Sequence, residues 1–133
     1  MNTIHQKIVL QAGSFGLIMG ILNTLGYTKN FELFLWVIIL LGSSILVLKK
    51  VDTNIFIHCI LIGLCWGVDT TFIEAVFIET YINNNLYISG LIQEISFINP
   101  RILLILLGVL GGFMSGTILY CIQLILRKFK CQH

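Results

Sequence analysis

Charge is what this sequence has least of. Asp, Glu, Lys and Arg together make up 11% of its 133 residues, where in a soluble domain they make up about a quarter. With 57% hydrophobic residues beside them, the composition excludes an ordinary soluble enzyme or carrier and predicts a membrane protein. Cysteine is sparse as well. The four, at 59, 65, 121 and 131, form no Cys-x-x-Cys pair, so neither a disulfide framework nor a zinc ribbon is expected. The sequence has no Asn-x-Ser/Thr acceptor, no prenylation box in its final Cys-Gln-His, and no glycine loop that would cradle a phosphate. Its basic tail is too small for specific nucleic-acid binding and reads as a topology signal. No cofactor is implied.

What the chain does have is apolar length. Four segments are long enough to cross a bilayer as helices, at about 8–27, 31–48, 55–81 and 102–126, and together with their connections they use the whole chain. The expected fold is therefore an all-α integral membrane protein, a single four-transmembrane-helix bundle without a separate soluble domain. Thr24-Leu25-Gly26 weakly resembles a signal cleavage site, but the apolar stretch before it is too long for a signal core. Residues 86–98 are too short to cross. There Ser89, Gln93, Glu94 and Ser96 recur at helical spacing against Leu91, Ile92, Ile95 and Ile98, which predicts an amphipathic interfacial helix between the third and fourth spans, a lid over the bundle. Asn83-Asn84-Asn85 stops the segment before it, and Asn99-Pro100 begins the one after, Asn as cap and Pro in the first turn.

The basic residues orient the bundle. With four spans, the head, the 49–54 connection and the tail share a side carrying Lys7, Lys49, Lys50, Arg127, Lys128 and Lys130, against Lys29 and Arg101 on the other. The positive-inside rule then places both termini in the cytoplasm, at the cell membrane.

Small residues fall in rows. Gly16 and Gly20 stand on one side of the first span, with Gly13 beside them and Asn23 further along. Gly63 and Gly67 pair on the third span, and Gly108, Gly112 and Gly116 repeat every four residues on the last as a glycine zipper, with Gly111 and Ser115 in the neighbouring row. Such rows let helix backbones approach closely in lipid, within one protomer or across a homo-oligomer. The second span, interrupted only by Gly42-Ser43-Ser44, reads as a lipid-facing wall with Trp36 at the outer headgroup level.

The 55–81 segment carries acids. Its large apolar residues, about 13 of them, gain about 4–8 kcal/mol on insertion, and a central acid such as Asp69 costs roughly 2.5–3.5. The segment therefore needs neighbours. At about 100° per residue, Asp69 and Glu74 point about 140° apart and form no dyad. Glu74 shares a face with Gly63, Gly67, Thr70 and Tyr81; Asp69 shares one with His58, Ile62 and Cys65; Glu79 falls at the headgroups. No Lys or Arg lies at the depth of Asp69 or Glu74. Intramembrane acids of this kind mark proton or cation sites, so Asp69, Glu74, Asn23 and Thr70 are the candidates. The plainer reading is interhelical glue, with neutral carboxyls bonded to Asn23, Ser115 or backbone carbonyls.

A metal site at His58, Cys59, Cys65 and Cys121 is disfavoured, because His58 and Cys65 lie about 10 Å apart along one helix. Nucleophilic catalysis lacks a pair of groups with an orienting acid, so an enzyme ranks third. The leading expectation is proton- or cation-linked movement of a solute or ion. The alternative is a non-transporting subunit whose glycine faces recognise another membrane subunit.

Overall fold

The computed structural model describes residues 5–29, 31–95 and 97–130. Asn30, Ser96 and Cys131, and the side chains of Gln93 and Lys130, lie outside that description. All regular structure among the described residues is helical: α1 (Gln6–Gly13), α2 (Phe15–Thr24), α3 (Glu32–Lys50), α4 (Ile55–Val76), α5 (Ile78–Asn84), α6 (Leu86–Glu94) and α7 (Pro100–Lys130). Four stretches are long and apolar enough to cross a bilayer, namely Gln6–Thr24, Glu32–Lys50, Ile55–Val76 and Pro100–Phe129.

The ends of these helices differ from the sequence expectation for identifiable reasons. The first span, expected to reach Tyr27, stops at Thr24, because Gly26 takes a left-handed φ of +76° that glycine alone adopts cheaply. Tyr27 N–H then donates to Leu22 O at 3.1 Å and Gly26 N–H to Asn23 O at 3.0 Å, the paired bonds of a Schellman stop. The third span, expected to run to 81, is interrupted at Phe77 (φ −103°, ψ 40°), and α5 restarts beyond it. The interfacial helix expected over 86–98 is the shorter α6 and packs on α5. At α7 the sequence reading of the cap agrees with the structure: Asn99 Oδ1 accepts from Arg101 N–H at 3.0 Å.

α4 is the axis of the molecule, with α7 on one side and α1 and α2 on the other. Its contact with α7 runs over bare backbone. A Cβ on Gly112 would stand 2.6 Å from Gly63 O, and one on Gly116 2.8 Å from Cys59 O, so any side chain there would force the helices apart. On the other flank a Cβ on Gly16 would meet the Trp66 backbone at 2.8 Å, and one on Gly20 would meet Thr70 O at 2.9 Å. The main core gathers Ile8, Val9, Ala12, Val47, Val51, Cys59, Ile62, Trp66 and Leu119, and a smaller one, Ile78, Tyr81 and Leu104, closes the α5 end.

α3 is the peripheral helix, and it turns its smallest residues inward. Only Ser43, Ser44 and Val47 are buried on it, and Gln123 Nε2 of α7 donates to Ser44 O at 2.7 Å. Leu33, Phe34, Val37, Ile38, Leu41 and Ile45 face outward. The half from Glu32 to Leu41 buries no residue fully and meets the core through the half-buried Trp36, Ile39 and Leu40, so the firmer anchor of α3 is its second half. Near that anchor Arg127 Nη2 donates to Val51 O, a loop carbonyl and not one of the last carbonyls of its own helix.

Candidate functional site

Where α2 ends, α3 begins and α4 breaks, three polar residues meet around one amide. Asn23 occupies the last turn of α2, Glu32 opens α3, and Glu74 lies in the last turn of α4, about 28 Å along the axis from Ile55. Asn23 Nδ2 donates to Glu74 Oε1 and to Glu32 Oε1, each at 3.1 Å. Its Oδ1 accepts the Thr28 hydroxyl at 2.6 Å. That third bond decides which way the amide faces, since a hydroxyl donor on Oδ1 leaves both hydrogens of Nδ2 for the carboxylates. Asn23, Thr28 and Glu74 are all buried.

The backbone of the hub is held in turn from α5. Asn85 Nδ2 donates to Asn23 O at 3.0 Å and to Tyr81 O at 2.9 Å, and Asn84 Nδ2 donates to Thr24 O at 2.9 Å. Thr24 O, at the end of α2, is therefore satisfied by a side chain, and Asn23 O, which already accepts Gly26 N–H, gains a second donor. The asparagine run that reads in sequence as a stop is also a clamp.

Two cavities adjoin at the hub. One, of about 250 Å³, runs from Glu74, Glu32 and Tyr81 down between α3, α4 and α7 past Trp36, Trp66 and Thr70 to Gly108, Gly111, Gly112 and Ser115. No lysine or arginine lines it. The other, of about 450 Å³, is shared by Asn23, Glu32 and Tyr81 and leads away past Lys29, Asn84, Asn85 and Tyr87. Three of the four candidate residues, Asn23, Thr70 and Glu74, thus line the inner cavity together with Gly67, Gly108 and Gly112. Asp69 does not. It is half-buried, with its Cβ on the Gly16 side of α4. Thr70 Oγ1 donates to Gly16 O at 2.9 Å and so serves the α2–α4 contact.

Glu32, Thr28 and the two indoles were not legible as site residues. Glu32 is the only acid before Asp52, which was the available signal, but a first-turn acid is explained equally well by the helix dipole. Trp36 stacks obliquely on Trp66, with centroids 6.0 Å apart at 55°. Trp66 is fixed by its own Nε1–H, which donates to Ala12 O at 2.6 Å.

His58 belongs elsewhere. It is fully buried near the chain termini, with Nδ1 2.9 Å from Asn54 O and Nε2 accepting His5 N–H at 2.9 Å, a pairing that requires the Nδ1–H tautomer. Among the described residues no three His, Cys, Asp or Glu side chains converge as a metal would require. Comparison with protein-family models, with curated proteins and with solved structures finds no match to this chain.

Proposed function

We propose that this chain is a small multi-pass membrane protein, with both termini cytoplasmic, that binds and moves a proton or another cation at Glu74. The observation that carries this reading is the shared amide. Two carboxylates are held on Asn23 at the junction of two cavities, and the inner cavity contains no cationic side chain. Glu32 is exposed but Glu74 is buried, and bringing a like charge against a buried carboxylate is costly unless a proton or cation joins them. A site serving only to fasten helices would be better built from one carboxyl and one donor. Asp69, outside that cavity, has no part in the reading.

The six-to-two distribution of basic residues supports the orientation, and it puts the Asn23–Glu32–Glu74 hub at the outer surface. The close pairing that the glycine rows call for is met inside the protomer, between α4 and α7, so it gives no support to a homo-oligomer. A second reading, a non-transporting subunit, is favoured by the broad apolar faces that α3 and α7 leave uncovered, which a partner's helices would fit as well as lipid does.

Purified protein in liposomes separates the two. Proton- or cation-dependent flux is expected from the parent and is expected to fall at least about tenfold in Glu74→Gln, a loss of about 1.4 kcal/mol or more in the bound or transition state. Flux from Glu74→Gln equal to that of the parent across several pH values would sink the transport reading.

A further inference from the structure

We propose that the ligand of the inner cavity is an organic ammonium ion with an apolar body, which reaches the carboxylates sideways through the gap between α3 and α7. This rests on the reading of Glu74 as a cation site and goes beyond it by fixing the chemical class of the cation.

The groups facing the cavity select against the simpler cations. Four hydroxyls line it, those of Thr70, Thr71, Ser115 and Tyr81, and three turn their protons to backbone: Thr70 Oγ1 to Gly16 O at 2.9 Å, Thr71 Oγ1 to Gly67 O at 2.8 Å and Ser115 Oγ to Gly111 O at 2.8 Å. The strong ligands that remain are the carboxylates. Glu74 gives Asn23 one oxygen, and among the described residues its Oε2 makes no hydrogen bond, although the residue is only 4% exposed. A calcium or magnesium ion takes six or more converging oxygens, and among the described residues no three Asp, Glu, His or Cys side chains converge to supply the core of such a site. A proton needs no cavity of about 250 Å³.

The remaining walls are apolar and aromatic. Trp36 and Trp66 present indole rings, on whose faces a weakly hydrated cation is held. Opposite them α7 offers bare glycine backbone at Gly108, Gly111 and Gly112, and nothing comes within 4 Å of a Cβ built on Gly111, so that wall leaves volume for an alkyl or aryl body. The α3 side is the thin one, because there the cavity is walled by exposed Glu32 and half-buried Trp36, with exposed Gly111 of α7 across the opening. An amphiphilic cation dissolved in the lipid would meet that gap directly.

The sequence supplies its own reporter. The chain has two tryptophans, and both line this cavity. Full-length protein in detergent at pH 8 is titrated with phenyltrimethylammonium, with sodium and potassium chloride, and with tert-butylbenzene, the uncharged isostere. A saturable change in tryptophan emission is expected from phenyltrimethylammonium alone. It is expected to weaken at least tenfold in Glu74→Gln, and to weaken in the parent as pH falls, because protons compete for the same carboxylates. Trp36→Phe, at a half-buried position outside the Asn23 network, should remove part of the signal and loosen binding; Glu32→Gln serves where Glu74→Gln does not fold. A flat titration, an equal response to tert-butylbenzene, or an unchanged response in both carboxamide variants overturns the proposal. Glu74-dependent flux alongside a flat titration rejects the organic cation and keeps the cation site, whereas absence of both rejects the two together.

Discussion

Asn23 shows how much can depend on which end of one amide points where. Its two donors hold Glu74 and Glu32, and its acceptor is occupied by Thr28. Asn23→Asp keeps the shape but converts the donor end to a carboxylate oxygen, setting a third acid at a buried position against buried Glu74 and exposed Glu32. The expected loss of stability is about 3 kcal/mol or more, in line with the cost of a buried uncompensated charge, and it should lessen in acid as protons restore donors. Asn23→Ala should cost less, since it removes the donors without adding charge. Thermal unfolding of both variants in detergent at two pH values checks the order, and Asp proving milder than Ala at neutral pH would contradict the network. At this scale the sequence disclosed members but not partnerships. Asn23 and Glu74 stand out as polar residues in apolar runs, and helical geometry correctly separated Glu74 from Asp69. Geometry along one helix says nothing about residues 51 apart, however, so the Asn23–Glu74 bond and the capture of Glu32 could not be read.

At the scale of elements, the small-residue rows were legible because close backbone approach in lipid has almost no other solution. Which rows carry contact was not. Gly67 and Gly111 look alike in sequence, yet a Cβ on Gly67 would overlap Gly108 O, whereas one on Gly111 meets nothing within 4 Å. Gly67→Ala is therefore expected to destabilise by about 2–3 kcal/mol through overpacking, and Gly111→Ala to be neutral or slightly stabilising through helix propensity. Denaturant titration in mixed micelles should separate them, and equal effects would mean that α4 and α7 do not meet along this row. The α3–α7 anchor offers a further test. Gln123 is fully buried with its Oε1 unpartnered among the described residues, and Ser43 Oγ is unpartnered as well. Gln123→Leu removes an unsatisfied acceptor at similar volume, so stability is expected to stay within about 1 kcal/mol of the parent despite the lost bond to Ser44 O. The ends of the elements were the least legible part, because Gly26 and Phe77 act through backbone conformation, which hydrophobic periodicity does not report.

For the whole molecule, the number and approximate place of the four long apolar helices followed from the sequence, since few other arrangements absorb so much apolar surface. The uneven grip on α3 did not, because it depends on which residues α7 and α1 happen to reach. Full burial at Ser43, Ser44 and Val47, against only the partial packing of Trp36, Ile39 and Leu40 and the Glu32 bond to Asn23 in the first half, makes α3 a helix held more firmly at one end. If the inner cavity exchanges its contents through that side, the two ends of α3 must differ in freedom. Spin labels at exposed positions report this without touching the core: Leu33 with Ile102 at the Asn84 end of the bundle, and Ile45 with Leu124 nearer the termini. The first pair is expected to give the broader distance distribution, and the second a narrow one that does not change on addition of phenyltrimethylammonium. Equal widths would place α3 as firmly at Glu32 as at Ser44, closing the lateral route and leaving the cavity reachable only past Asn84 and Asn85.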